Sequence, residues 1–485
     1  MPKRLHRASI LHEAFFTRHF ARGKYPARMP QWSSVNPPAS AVTLAPPAKN
    51  RLSYAWRALK HRNFRLFFSG QTISLMGTWM TRLATSWLVY KLTGSAFLLG
   101  VVGFAGQIPT FLFAPFAGVW VDRLNRRNVL VVTQVLAMLQ SLALAALTLT
   151  HRINIQEIIV LSAFQGLINA FDMPGRQTFL VEMIEDKQDL GNAIALNSSM
   201  VNLARLVGPS LAGAVIAISS EGYCFLIDGI SYLAVILSLL LMRLSVKEFR
   251  RSTDSMLKQL SEGWTYVSSP GAVRIILLLF ALVSLMGWPF TVLMPIFAGN
   301  ILHGGPHTLG FLMGAVGVGA LISAISLAIR RTVRGLVRMI SIATAAFGAG
   351  LIGFGFSKFF WLSMLLMLVC GFGMMQQMAA SNTIIQTVVD DSKRGRVMSF
   401  YTVAFVGMAP FGSLLAGALA HAIGAPRTVI FSGACCLAGA AWFTSQRPAI
   451  RAWIRPVYRE LGILPPAEPP TESPVNAVIQ DGVGH

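Results

Sequence analysis

Charge is what this sequence has least of: only 12% of its 485 residues are Asp, Glu, Lys or Arg, where a soluble chain carries about 25%. So little charge cannot keep a folded surface in water, which excludes an ordinary soluble domain. Cysteine is nearly missing as well. Cys224, Cys370, Cys435 and Cys436 all fall in apolar stretches, so neither a disulfide framework nor a cysteine metal centre is expected, and the four read as small buried hydrophobes. Residues 1–30 lack the unbroken apolar core of a cleavable signal peptide, so the first membrane helix must direct insertion itself.

Motifs of soluble chemistry are missing too. No phosphate loop ends in Lys-Ser or Lys-Thr, which removes ATP as an energy source within this chain. Gly348-Ala349-Gly350-Leu351-Ile352-Gly353 has dinucleotide-loop spacing, but it lies inside an uncharged span with no strand before it, so helix packing is the better reading. His12-Glu13 lacks the second His of a zinc protease, and the other histidines sit in tails, loops or span ends. No catalytic residue, metal ligand or cofactor is expected.

Hydrophobic residues, at 54%, fill the space that charge leaves, and the mean hydropathy is +0.58. The 42 Gly and 24 Pro suit membrane helices that pack closely or kink. A bilayer core about 30 Å thick needs about 20 apolar residues in helical form. Uncharged intervals at 92–121, 128–151, 339–357, 359–389, 397–426 and 428–446 supply one span each. The interval between Arg274 and Arg330 supplies two, broken at His303-Gly304-Gly305-Pro306-His307. Four more carry interior charge: 66–90 with Arg82, 155–178 with Asp172 and Arg176, 192–218 with Arg205, and 222–242 with Asp228. The expected fold is an all-α membrane protein of twelve transmembrane helices in two six-helix halves.

The chain divides accordingly into a basic, disordered tail at 1–60, a six-helix bundle at 61–243, a linker at 244–272, a second bundle at 273–447 and a Pro-rich, disordered tail at 448–485. Within the linker, Leu257, Leu260, Trp264 and Val267 recur at helical spacing, as in a helix lying on a membrane surface. The net charge of +22 would suggest nucleic acid in a soluble protein. Here the bases mark orientation: Lys91, Arg152, Lys358 and Arg427 lie on one side, Arg82, Arg176 and Arg205 inside spans, and the remaining 34 of the 41 on the side of the chain ends. Since short cytoplasmic loops hold Lys and Arg, both termini are expected in the cytoplasm.

Shifting the chain by 204 residues places Gly208-Pro209-Ser210-Leu211-Ala212-Gly213-Ala214 on Gly412-Ser413-Leu414-Leu415-Ala416-Gly417-Ala418, with five of seven positions identical. The same shift sets Gly191 on Gly395 and Asp186 on Asp390. A second register sets Leu99-Gly100 on Leu309-Gly310. Two halves built alike are a common way for transporters to form a central site that opens to either side.

Gly118-Val119-Trp120-Val121-Asp122-Arg123-Leu124-Asn125-Arg126-Arg127 ends the second span. A basic loop alone would satisfy the orientation rule without an acid beside the bilayer, where charge is costly unless paired. Here the sequence resembles the major facilitator superfamily, whose loop between helices 2 and 3 carries Gly, Asp four residues later, Arg, and a Gly-Arg-Arg or Gly-Arg-Lys ending. Gly118, Asp122, Arg123, Arg126 and Arg127 match it. Asn125 replaces the usual Gly, and Asn tolerates the left-handed backbone conformation. Gly208, Pro209 and Gly213 are similar to the Gly-Pro motif of the superfamily's antiporters, although a packing kink is an alternative. Residues 170–177, 192–197 and 394–399 resemble the bacterial branch that contains the enterobactin exporter, over about residues 55–445.

The resemblance implies a secondary transporter in the bacterial inner membrane, exporting a small molecule such as a siderophore in exchange for protons. Broad multidrug efflux is the alternative, and a membrane sensor or enzyme a remote one. Its partners would be the small-molecule substrate, protons and the bilayer, with no nucleic acid. In the gate, Asp122 is expected to meet the start of helix 11 near Arg396 and Val397, a helix N-terminus favouring an anion. Arg126 or Arg127 would meet Asp172 or Glu182, both contacts existing only while that face is closed. Ionisable residues at membrane depth are functional candidates by default. Asp228, the only acid well inside a span, is the candidate for reversible protonation, unless it forms a structural ion pair with Arg82. Arg82 and Arg205 suit an anionic or catechol-bearing molecule, with its rings against Trp79, Phe104, Phe111 or Trp288.

Overall fold

The structure, a computed structural model, describes residues 56–184, 186–243, 268, 271–330 and 332–465. Every regular element among them is helical. Twelve helices reach membrane length: α1 (Arg62–Thr93), α2 (Ala96–Arg123), α3 (Arg126–Leu149), α4 (Ile155–Glu182), α5 (Leu190–Ile218), α6 (Glu221–Leu241), α7 (Ala272–Ile301), α8 (Pro306–Ala328), α9 (Leu336–Phe356), α10 (Phe360–Val388), α11 (Asp391–Thr402 continuing into Met408–Ile423) and α12 (Ala425–Glu460). Eleven are long and apolar enough to cross a membrane. The other is α1, whose 32 residues span about 48 Å but include Arg62, Arg65, Arg82 and Lys91.

Local chemistry sets the boundaries. Ser95 accepts a hydrogen bond from the Leu98 amide at 3.3 Å and opens α2, while Gly94, with φ at +59°, closes α1. Asn154 and Glu157 form a reciprocal capping box at the start of α4, satisfying two donors that a helix start leaves unpaired. α7 and α11 are interrupted by π turns, at Val283–Gly287 and Phe297–Ile301 in α7 and at Val403–Gly407 in α11.

Lipid gives helices no hydrophobic reason to associate, so close packing must hold them, and small residues permit it. Gly348 and Gly433 face each other between α9 and α12, each lying where a side chain on the other would meet its carbonyl at 2.6–2.7 Å. Gly350 leaves room for the Cys370 sulfur of α10. The Gly-rich run at 348–353 is therefore a packing surface. Cys224, Cys370 and Cys436 are buried, Cys435 is half-buried, and all four are free.

α1–α6 form one bundle and α7–α12 the other, and they meet along two seams, α2 against α11 and α5 against α8. Several close approaches in both seams lie in the half of the bundle away from the start of α1 and the end of α12. Gly100 packs on Gly417 and Gly103 on Ser413 in the first seam; Gly213 packs on Gly310 and Gly317 on Leu206 in the second. Tyr90 Oη also donates to Asn300 Oδ1 at 2.5 Å, joining the far ends of α1 and α7. Towards the opposite, terminal face, where α1 starts and α12 ends, a Cβ on Gly118, Gly191 or Gly395 would meet nothing within 4 Å. The two bundles are thus in backbone contact at the far face.

The expected tails need correction where the structure describes them. α12 does not stop at residue 447 but runs to Glu460, with Ile450, Ile454 and Tyr458 buried. Pro448 and Pro456 suggested a break, but an apolar residue every fourth position packs that stretch onto the second bundle. At the other end Arg57–Lys60 form a turn of 3-10 helix. The expected surface helix at 244–267 lies outside the described residues, as do residues 1–55 and 466–485.

Candidate functional site

Arg82 of α1 and Arg205 of α5 come together over one aromatic ring. Their guanidinium carbons lie 4.7 and 5.3 Å from the centroid of Trp79. Trp79 can sit between the two helices because Gly208 has no side chain; a Cβ there would come within 2.5 Å of the Trp79 Cβ. Arg82 lies eleven residues from the far end of α1 and Arg205 thirteen from that of α5, so both are about 16–20 Å deep. Arg82 is exposed and Arg205 half-buried. Charge exposed to lipid at that depth is costly, and the Trp79 ring shields one face of each guanidinium. Neither forms an ion pair among the described residues, and the Arg205 Nε is buried without a hydrogen-bond partner.

Asp228 does not pair with Arg82, contrary to the structural alternative weighed from sequence. It is 2% exposed, held by Thr81 Oγ1 at 2.8 Å and Ser141 Oγ at 3.0 Å, both donating to Oδ2. Its Oδ1 is buried with no partner, packed near Gly77, where a Cβ would lie 2.7 Å from it. Neutral hydroxyls from α1 and α3 thus surround it, a detail that no sequence spacing reveals.

The second bundle presents aromatic surface instead. Phe280 stacks on Tyr401 (4.4 Å between centroids) and on Phe405 (5.3 Å), and Trp288 meets Phe405 edge-on at 5.0 Å. Trp288 and Phe405 are half-buried. Trp288 lies thirteen residues from the far end of α7, the depth of Arg205. The π turn at Val403–Gly407 frees the Phe405 carbonyl, which accepts from Ser284 Oγ at 2.7 Å, so the interruptions in α7 and α11 are joined. Hydropathy cannot signal a π turn, and sequence reasoning missed this cluster apart from Trp288. Phe104 and Phe111 are placed elsewhere: both pack edge-on against Phe411 in the α2–α11 seam, at 6.1 and 6.0 Å.

Two basic residues of the loop motif have described partners. Arg126 forms an ion pair with Glu182, and Arg127 Nη2 donates to the Leu240 carbonyl at 2.6 Å. Arg126 and Glu182 both belong to the first bundle, on α3 and α4, so the pair moves with it as one body. Asp172 meets neither Arg126 nor Arg127: it is 5% exposed, ion-paired with Arg176 one turn along α4, and accepts from Gln134 Nε2 at 2.7 Å and Thr133 Oγ1 at 3.2 Å. The Asp122 and Arg123 side chains lie outside what the structure describes, so their expected contacts go undescribed. Asn125 is not left-handed; at φ −66° and ψ 109° it caps α3, accepting from the Asn128 amide at 3.3 Å.

Sequence reading also missed a strap on the terminal face. Arg57 Nε lies 3.1 Å and His61 Nε2 3.2 Å from the Asp189 carboxylate, and Asn192 Oδ1 accepts from the Ala58 amide at 2.9 Å. Asn63 bonds the backbone of Arg243 in both directions. The only available signal was an acid preceding α5 opposite a basic segment. The remaining motif residues belong to the α5–α8 seam: the Pro209 carbonyl abuts Gly310, and a Cβ added to Gly213 would lie 2.8 Å from the Pro306 carbonyl and 3.1 Å from the His307 Cα.

Comparison with known proteins gives both sequence relatives and a structural neighbour. The chain is 26% identical over 372 residues to the staphyloferrin A transporter of Staphylococcus aureus (strain NCTC 8325 / PS 47), covering 76% of this chain and 92% of that one. It is 26% identical over 362 residues to the multidrug efflux pump Tap of Mycolicibacterium fortuitum, covering 73% and 88%. The crystal structure of a bacterial homolog of the human lysosomal transporter Spinster, inward-facing and unoccupied, superposes with a TM-score of 0.61 at 12% identity, covering 83% of this chain and 98% of that one. Residues 53–454 match the MFS_3 family, described as transmembrane secretion effector, and the chain therefore belongs to that family of major facilitator superfamily transporters.

Proposed function

We propose that the protein is a proton-coupled exporter of a small molecule, a siderophore or related metabolite, in the bacterial cytoplasmic membrane with both ends in the cytoplasm. The observation that carries this reading is the pair of arginines over Trp79, at mid-depth and outside any ion pair among the described residues, with the Arg205 Nε buried and unpartnered. A substrate that reaches them meets two guanidinium groups whose ion-pair capacity is unused among the described residues. Asp228 supplies the coupling site. It is buried among neutral hydroxyls with one oxygen unpartnered, so a proton taken up there changes the local charge without breaking a salt bridge. The relative that is a staphyloferrin A transporter agrees with the substrate class.

The second reading is broad-specificity efflux, which the half-buried Trp288 and Phe405 and the relative Tap favour. Transport by the purified protein in liposomes under an imposed pH gradient tests both. Uptake of a catecholate siderophore that collapses in Asp228→Asn, with exchange down the substrate's own gradient retained, is the expected result. Full gradient-driven transport by Asp228→Asn would move coupling elsewhere, and inhibition by cationic dyes but not by siderophores would replace this reading with multidrug efflux.

A further inference from the structure

α12 is longer than a bilayer requires, and the surplus carries a pattern. Arg447 lies twenty-two residues after Ala425, about 33 Å along the helix, where a hydrocarbon core of about 30 Å has ended. From there Arg447, Arg451, Arg455 and Arg459 recur at every fourth position on one flank of the helix, beside the buried stripe of Ile450, Ile454 and Tyr458. Orientation asks for bases on this side but sets no spacing. Arg451 and Arg455 come eighteen residues, five full turns, after Gly433 and Leu437, both of which pack on α9 at Gly348. They therefore lie on the α9 side of α12, just past the start of α9. There Arg330, Arg334 and Arg338, around the α8–α9 loop, are all exposed. Arg334 Nη2 donates to the Ile463 carbonyl, and Arg330 Nη2 to the Arg334 carbonyl at 2.8 Å, so the loop is tied to the end of the α12 extension.

Nothing acidic answers this charge. None of the seven arginines forms an ion pair among the described residues, and Glu460 is the one acid described on α9, α12 or the loop between α8 and α9. α9 starts with no side-chain cap and no acid in its first turn, which leaves its positive end uncompensated. Tyr458, between Arg455 and Arg459, has its hydroxyl buried with no hydrogen-bond partner. Apolar surface leads to the cluster from the bilayer: Ile325 and Ile329 precede Arg330, Ile342 follows Arg338, and all three are exposed. We propose that this cluster is a binding site for the phosphate headgroup of an anionic phospholipid in the leaflet on the terminal face, with the acyl chains against those isoleucines. Guanidinium groups hold phosphate oxygens in a fork geometry. A free phosphate would gain nothing from the isoleucines, and a nucleic acid would set its charged backbone against apolar surface at the bilayer edge. The proposal rests on neither the transported substrate nor the coupling.

The test is titration of the full-length protein in detergent micelles with cardiolipin, read as an apparent affinity by native mass spectrometry. Phosphatidylcholine with the same chains, inorganic phosphate and a short single-stranded DNA are the comparison probes. Cardiolipin should bind at least about tenfold more tightly than phosphatidylcholine or DNA, and excess inorganic phosphate should not displace it. Arg451→Gln with Arg455→Gln, and Arg330→Gln with Arg338→Gln, should each weaken cardiolipin by about tenfold. The far-face pair Arg152→Gln with Arg427→Gln removes equal charge and should leave binding within about twofold of the parent. Variants count only as single, monodisperse species. Where a pair does not fold, phenylglyoxal modification of the parent protein decides in its place: cardiolipin should slow it at Arg451 and Arg455 and leave Arg152 and Arg427 unchanged. Cardiolipin no tighter than phosphatidylcholine, displacement by phosphate or DNA, either terminal-face pair unchanged, an equal loss in the far-face pair, or no protection of Arg451 and Arg455 would each overturn the proposal. Cardiolipin binding that appears only once Glu468, Glu472 and Asp481 are neutralised would assign the site to the chain's own acidic end and overturn it as well.

Discussion

Gly100 and Gly417 approach so closely that a Cβ on Gly417 would lie 2.8 Å from the Gly100 Cα. The pair related to it by the internal repeat is Gly310 and Gly213, where each added Cβ would lie 3.2 Å from the partner's Cα. The repeat therefore maps one seam onto the other, and the four glycines are the points at which the far face is shut. Backbone contact of this kind is two-state: it exists at van der Waals distance or is lost altogether.

Gly417→Val should open the far face. Overpacking typically costs about 1–3 kcal/mol, and the cost falls only on the state with this seam closed, which shifts the balance of states by about 5- to 150-fold. Labelling of a cysteine introduced at Ser413, 1% exposed in the α2–α11 seam, by an impermeant reagent should rise and transport should fall. Labelling that matches the parent protein would show that the seam yields without moving the equilibrium.

Asp172 is expected to matter for stability more than for gating. Its carboxylate is buried and holds Arg176, Thr133 and Gln134, and removing one partner of a buried pair typically costs about 3–5 kcal/mol. Asp172→Ala should lower the melting temperature markedly. The midpoint can be read with a thiol-reactive dye, because Cys224, Cys370 and Cys436 are buried until the protein unfolds.

Glu182→Gln should do little by comparison. The side chains of Arg126 and Glu182 are 22% and 32% exposed, and pairs near a surface contribute about 0–1 kcal/mol. Because the pair lies within one bundle, the accessibility of either face should also stay within twofold of the parent. A large shift in accessibility would return the pair to the gate.

Ile454→Ala probes the extension of α12. Ile454 is 3% exposed, and such a truncation in a packed site typically costs about 2–5 kcal/mol. The same melting assay should show a clear drop, and protease should cut between Arg451 and Arg459 in the variant before the parent. A parent cut there just as fast would mean that the extension is not docked.

Twelve spans, the division into halves and the crowding of bases on one side were legible in the sequence, because span length and apolar content follow directly from bilayer thickness. The pairing of seams was half legible: the register that sets Leu99-Gly100 on Leu309-Gly310 and the one that sets Gly213 on Gly417 name the four glycines, but not which two touch. Tertiary structure decided that, since contact across a seam depends on how two rigid bundles are tilted. It also decided the partner of each buried charge. Arg82 and Asp228 could have paired by depth alone, yet Thr81 and Ser141 take the carboxylate and Trp79 takes the guanidinium, because the rotation of each helix about its own axis is set by packing around Gly77 and Gly208.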